Sequence, residues 1–250
     1  MIGPLNRTVM WLTWRQLFAR KRIYIAAAFA LLPVVFTVFS RFTTDDQSDS
    51  GLAFFNGLSR ELIIGTLVPL AGALFGTTAF GGEVDDGTLV YLLIKPIARW
   101  RIVLSKYIVA VMSTVAVMIP ALLLPWFVLS GPELSANVLI GYLVGGAAGA
   151  AIYCALFLSL GLASRRALVI ALIYVIGFEA VLSRNLVGVK SLSVREFAVA
   201  FSRAASSGTI EITSYVVPMT TVWTMSAILL IGALVLSLRR LSRFEMAERV

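Results

Sequence analysis

The 250-residue sequence has no histidine, a single cysteine and few charges. Without histidine there is no Ser-His or Cys-His dyad, no His-ligated haem, and none of the usual zinc or di-iron sites. The one cysteine, Cys154, excludes an internal disulfide or a cysteine cluster; within the run Ala151 to Leu160 it reads as a small buried apolar residue. Only 14% of the residues are charged, against roughly 25% in an ordinary soluble domain, and 59% are hydrophobic. With a mean hydropathy of +0.93 the chain cannot cover a water-facing surface, which excludes a soluble globular domain. A membrane-spanning helix takes about 20 residues. The length therefore accommodates several spans in one transmembrane domain over 1–250, with no separate catalytic domain of about 100–150 residues.

Runs without charge mark the spans. Ile23 to Ser40, Leu62 to Gly82, Tyr107 to Pro132, Leu134 to Ser164 and Ile212 to Leu238 are each long enough, or nearly so, to cross a bilayer. A sixth run starts at Ala167 and is interrupted only by Glu179. The expected fold is an all-α polytopic membrane protein with six transmembrane helices. The net charge of +8 reads as topology: fifteen of the 21 Lys and Arg fall on one face and six on the other, so the first face is expected to be cytoplasmic, with both termini on it. The first 22 residues carry Arg7, Arg15, Arg20, Lys21 and Arg22 but no apolar core of a signal peptide. On a helical period Met10, Trp11, Trp14, Leu17 and Phe18 share one arc and Thr13, Gln16 and Arg20 lie opposite, as in a helix lying at the headgroups.

Small residues mark close packing. Gly141, Gly145 and Gly149 recur every four residues in the fourth span, and Gly72 and Gly76 repeat the spacing in the second. Such faces admit another helix backbone, either within the chain or from a second copy.

The segment Gly81 to Lys106 is the most informative. Asp85 and Asp86 precede Gly87-Thr88, and acidic groups favour a helix start. Leu89, Leu92 and Leu93 then form one narrow stripe on a short helix that Pro96 terminates. Two turns of helix are not stable alone in water, so the stripe needs a partner surface, either the underside of the bundle or another protein.

Glu83, Gly87-Thr88-Leu89, Leu92-Leu93, Pro96-Ile97, Arg99 and Lys106 resemble the pattern E-x3-G-T-L-x2-L-L-x2-P-I-S/T-R-x6-K. That pattern belongs to the permease subunits of ABC transporters of the second type; Ala98 departs from it, removing a cap hydroxyl. The resemblance implies that 83–101 is a cytoplasmic coupling loop, with Gly87 to Leu93 as a coupling helix docked on a separate ATPase. It also implies that Glu83 closes the second span, that Pro96 to Arg99 form the turn into the third, and that the permease works as a dimer in a prokaryotic inner or plasma membrane. No G-x-x-x-x-G-K-S/T loop occurs, so the expected protein is not itself an enzyme, binds no cofactor, and leaves ATP to its partner. Arg165-Arg166 forms a candidate second cytoplasmic contact or a simple topological anchor.

Glu179 is twelve residues into the fifth span, where a charge costs about 2.5–3.5 kcal/mol on insertion scales. It is expected to line the pathway, to pair with Arg184 or Arg60, or to fix packing by hydrogen bonds. Tyr174, Phe178, Glu179 and Leu192-Ser193 resemble a stretch of one subgroup of the same permeases. In the external loop 183–211, Ser193 and Glu196 form a capping box and Leu192 and Phe197 a staple, so a short helix is expected from Val194, on or dipping into the outer leaflet.

Two other functions fit a polytopic chain less well. A secondary transporter or channel usually carries several intramembrane ionisable residues or inverted repeats. An intramembrane protease needs two carboxylates in reach, or a serine with a lysine at membrane depth. A non-transporting membrane anchor of a complex stays open. Nucleic acid is not an expected partner, and no residue selects the transported substrate.

Overall fold

The computed structural model describes residues 10–14, 20–43, 50–85, 98–129, 134–164, 166–182, 192–207, 210 and 217–247. No strand occurs among them. The helices are α1 (Arg20–Thr43), α2 (Ser50–Gly57), α3 (Val68–Asp85), α4 (Arg99–Val128), α5 (Ala136–Gly161), α6 (Ala167–Ile173), α7 (Val194–Ala205) and α8 (Met219–Ala247). Two π-helical stretches join them: Leu58–Leu67 links α2 to α3, and Tyr174–Leu182 continues α6.

Among the described residues four helices are long and apolar enough to cross a membrane: Gly51–Val84, Arg99–Val128, Ala136–Gly161 and Met219–Ser242. Two shorter apolar helices, Ala27–Phe42 and Ala167–Glu179, coincide with the first and fifth expected spans. The second helix differs from its expected outline. It starts at Ser50 and not near Leu62, so Arg60 and Glu61 sit inside it and not in a loop. The Glu61 charge is met by Arg195, so the helix runs on through a position where charge suggested a boundary.

α5 is the central element, packed against α3, α4, α6, α7 and α8, while α1 lies against α4. At one end of the bundle Arg41 of α1 donates to the carbonyl of Val128 at 2.9 Å. The opposite end carries Arg99, Arg101, Arg166, Arg239 and Arg240 and is the basic end. Outward-facing surfaces are apolar, as lipid contact demands: Phe36, Phe39, Ile173, Trp223 and Ile231 are exposed. Residues 10–14 are helical, with Trp11 and Trp14 exposed and Thr13 buried. Cys154 is fully buried, 3.3 Å from the Thr114 hydroxyl.

Six interior hydroxyls are satisfied within their own helices. Thr37, Thr77, Ser113, Thr114, Ser202 and Ser237 each donate to the carbonyl four residues back on their own helix. This removes an unsatisfied donor from the apolar interior without a partner helix.

The glycine faces receive helices of this same chain. Gly72 and Gly76 of α3 face Tyr153, Cys154 and Phe157 of α5. On its other side, α5 presents Gly141, Gly145 and Gly149 to α7. A methyl group at Gly145 would overlap Ser202 Oγ and the Ala198 carbonyl, and one at Gly141 would stand 2.6 Å from the Ser202 carbonyl oxygen. The pairing Gly149–Ala198, Gly145–Ser202, Gly141–Ser206 makes α7 antiparallel to α5. Gly149 lies twelve residues from Gly161, about 18 Å. α7 therefore starts midway along the bundle and rises toward the end opposite the basic one: it is a re-entrant helix, not one resting on the surface.

Gly141→Ala and Gly145→Ala are each expected to cost about 1–3 kcal/mol by overpacking. Gly232→Ala, where a methyl meets nothing within 4 Å, should cost nothing. Unfolding midpoints in detergent check this, and equal midpoints for all three would refute the seating of α7 on α5.

Candidate functional site

Two polar centres stand out in the apolar bundle, one near the basic end and one midway along it. At the first, Lys106, fully buried in the second turn of α4, reaches Glu83 of α3, with Nζ 2.8 Å from Oε1. The same ammonium group donates to the Ala79 carbonyl and lies 4.6 Å from the centre of the Phe80 ring. Three kinds of partner thus compensate one desolvated charge: a carboxylate, a carbonyl dipole and an aromatic face. The pair joins the last turn of α3 to the start of α4 and closes the hairpin whose tip is residues 86–97. Thr77 packs against Gly161, so Glu83, six residues on, projects about 9 Å past the end of α5.

Of the residues read from the sequence as ATPase-coupling, Glu83 and Arg99 are described. Arg99 is the first residue of α4, whose N-cap is Ala98, with no side-chain cap, as the departure at that position predicts. Gly87, Thr88, Leu89, Leu92, Leu93 and Pro96 lie outside the described residues, as does Arg165. Arg166 is exposed, and its N–H donates to Ser164 Oγ at 3.1 Å.

The second centre surrounds Glu179, on the π-helical stretch Tyr174–Leu182 and fully buried. Twelve residues from Ala167, it is at most about 18 Å along the span, level with the start of α7. Its carboxylate accepts from Ser193 Oγ at 2.6 Å, from the Val194 N–H at 3.0 Å and from the Tyr174 hydroxyl at 3.3 Å. Ser193 is the N-cap of α7, and its Oγ accepts from the Glu196 N–H at 3.4 Å. The Ser193 cap thus begins the helix at Val194 as expected, whereas the expected Leu192–Phe197 staple does not form around it: Phe197 is buried and Leu192 exposed. The hydrogen bonds of Glu179 to hydroxyls and to the positive end of a helix dipole are the packing role expected as an alternative to lining the pathway or pairing with Arg184 or Arg60. Arg184 lies outside the described residues.

Aromatic rings pack α5 onto this span. Tyr153 stacks on Phe157 with centroids 5.9 Å apart, Phe157 meets Tyr174 edge-on at 6.0 Å, and Tyr174 stacks on Phe178 at 5.2 Å.

The sequence reading missed one contact. Arg195, in the first turn of α7 and 4% exposed, binds Glu61 of the π-helical stretch Leu58–Leu67 through Nη2 and Oε1, 2.5 Å apart. The available signal was a charged pair interrupting two otherwise apolar segments, Glu61 in one and Arg195 in the other.

A sequence profile described as ABC-2 family transporter protein matches residues 17–180. The chain belongs to the ABC-2 transporter family. No curated protein matches it. The matched region of this ABC-2 permease includes Glu61, Glu83, Lys106 and Glu179 and ends before α7. ABC-2 permeases are in general non-catalytic membrane subunits of transporters, with ATP hydrolysed by a separate subunit. Among the described residues no cluster of metal-ligating side chains occurs.

Removing one partner of a buried pair costs about 3–5 kcal/mol, whereas replacing both can be neutral. Lys106→Met is therefore expected to lower the unfolding midpoint far more than the double change Glu83→Gln/Lys106→Met. At the other centre, Glu179→Leu strands the Val194 N–H and two hydroxyls, at about 1–3 kcal/mol for each stranded donor. Glu179→Gln keeps acceptor capacity and should fall between Leu and the parent. Thermal unfolding in detergent reads both series.

Proposed function

We propose that this ABC-2 permease is the membrane-spanning subunit of an ATP-driven exporter, working as a dimer and driven by a separate ATPase. It crosses a prokaryotic cell membrane six times with both termini in the cytoplasm. The bias of basic residues toward one end supports this orientation. Two shorter apolar helices, beside the four long ones, are what six crossings would use.

The observation that carries the coupling role is the buried Glu83–Lys106 pair. A short amphipathic helix at the tip of the α3–α4 hairpin can do work on the bundle only if its two stems move as one body. The ion pair sits at the base of that tip and holds the stems together. In this reading Leu89, Leu92 and Leu93 fill a groove of the ATPase, Gly87 and Thr88 start the helix, and Pro96 to Arg99 return the chain to the membrane. Arg165 and Arg166 make a smaller contact on the same side. Glu179 serves packing, because its carboxylate is engaged by the cap of α7.

Identification of an ABC ATPase from the same genome, sought first in the neighbouring reading frames, and its co-expression with the chain test the proposal. The ATPase should co-purify with the chain and hydrolyse ATP in proteoliposomes. Leu89→Asp/Leu92→Asp should weaken the complex by about 3–6 kcal/mol, or roughly two to four powers of ten in affinity. Retention of the ATPase by that variant would overturn the assignment of the docking helix.

A further inference from the structure

Arg195 is placed against its own helix. A cation in the first turn faces the positive end of the macrodipole, where a carboxylate would be favoured. It is also buried midway along the bundle, where an unpaired charge is costly. Helix stability accounts for neither feature. Both are met by one contact: the guanidinium crosses to Glu61, on the span that carries Glu83 near its basic end.

The second helix makes room for this contact. The guanidinium lies over Gly65, where a methyl would stand 2.9 Å from Arg195 Nε and 3.1 Å from the Arg60 carbonyl oxygen. Glu61 and Gly65 are four residues apart on the π-helical stretch, so the acceptor and the gap that admits the donor share one face. Arg195 is buried and Glu61 is half-exposed, so the pair spans the edge of the packed interior; such pairs add little net stability but can fix which surfaces meet and in what register.

We propose that Arg195 and Glu61 are positioning residues that tie the re-entrant helix α7 to the second span, so that α7 follows that span when it moves. Glu179 and Ser193 hold the start of α7 to the fifth span; Arg195 holds it to the second. α7 thus stands between two spans and is bound to each by polar contacts at its start. The helix from Ser50 to Asp85 carries two ion pairs, Glu83–Lys106 near the basic end and Glu61–Arg195 further along it, beside α7. A tilt imposed on the α3–α4 hairpin is delivered to α7 through Glu61. This last step rests on the function proposed above; the tie itself does not.

The test uses the full chain in lipid nanodiscs, with Cys154→Ala removing its only native thiol. Spin labels are placed at Ala53→Cys and Ala204→Cys, both exposed, on α2 and α7. The parent should show one narrow distance distribution. Glu61→Gln and Arg195→Gln should each broaden it and add a population in which α7 has left the second span. The double change should add nothing to either single one. Gly65→Ala keeps both charges but displaces the guanidinium, and should give the same broadening. An unchanged distribution in Glu61→Gln and Gly65→Ala, or additive broadening in the double variant, overturns the tie. Because no ATPase is present, loss of ATPase docking and loss of the tie are read separately.

Discussion

A helix that begins inside an apolar bundle has to satisfy its first N–H groups without water. Glu179 supplies this need for α7. The first four N–H groups of a helix have no intrahelical partner, and in a membrane interior each one left open costs several kcal/mol. Val194 donates to the Glu179 carboxylate and Glu196 donates to Ser193, whose own hydroxyl turns to the same carboxylate. The negative group also meets the positive end of the dipole. Remove that carboxylate and α7 has no reason to start at mid-depth. The glycine face of α5 then has nothing to seat, and Arg195 loses its path to Glu61.

Charge is used sparingly in this molecule and for geometry. Glu83–Lys106 and Glu61–Arg195 each join elements that apolar contact alone would leave free to slide, since lipid is as good a solvent for a leucine as another helix is. Both pairs belong to the helix from Ser50 to Asp85, which gains two fixed neighbours: α4 at Glu83 and α7 at Glu61. The π-helical stretches Leu58–Leu67 and Tyr174–Leu182 carry the acidic partners of α7, Glu61 and Glu179. Such segments are rare and concentrate where function distorts the regular ladder.

Much of this was legible in the residues. Uncharged runs located the long helices, and Ser193 with Glu196 gave the first residue of α7; Glu83 and Lys106 were singled out by the motif, but not as partners of one another. Other features depend on distance along the chain. Glu61 and Arg195 are 134 residues apart, and neither carries a local sign of the other. The spacing of Gly141, Gly145 and Gly149 announced a close helix but could not name it, since any backbone fits such a face. Nor could the apolar stripe on α7 give its depth, because a helix on a lipid surface and one sunk into a bundle need the same stripe. The extension of the second helix through Arg60 and Glu61 was hidden for the opposite reason: charges there read as a boundary until their partners are known.

The self-bonded hydroxyls have a consequence for ion leakage. Conduction of protons along side chains needs groups that accept on one side and hand on from the other, and such relays in membranes are built from Asp, Glu and His. The hydroxyls of Thr77, Ser113, Thr114, Ser202 and Ser237 have their protons committed to carbonyls of their own helices. With only lone pairs left to offer, they are dead ends for a migrating proton. These hydroxyls thus cross the interior as packing groups and not as links of a proton relay.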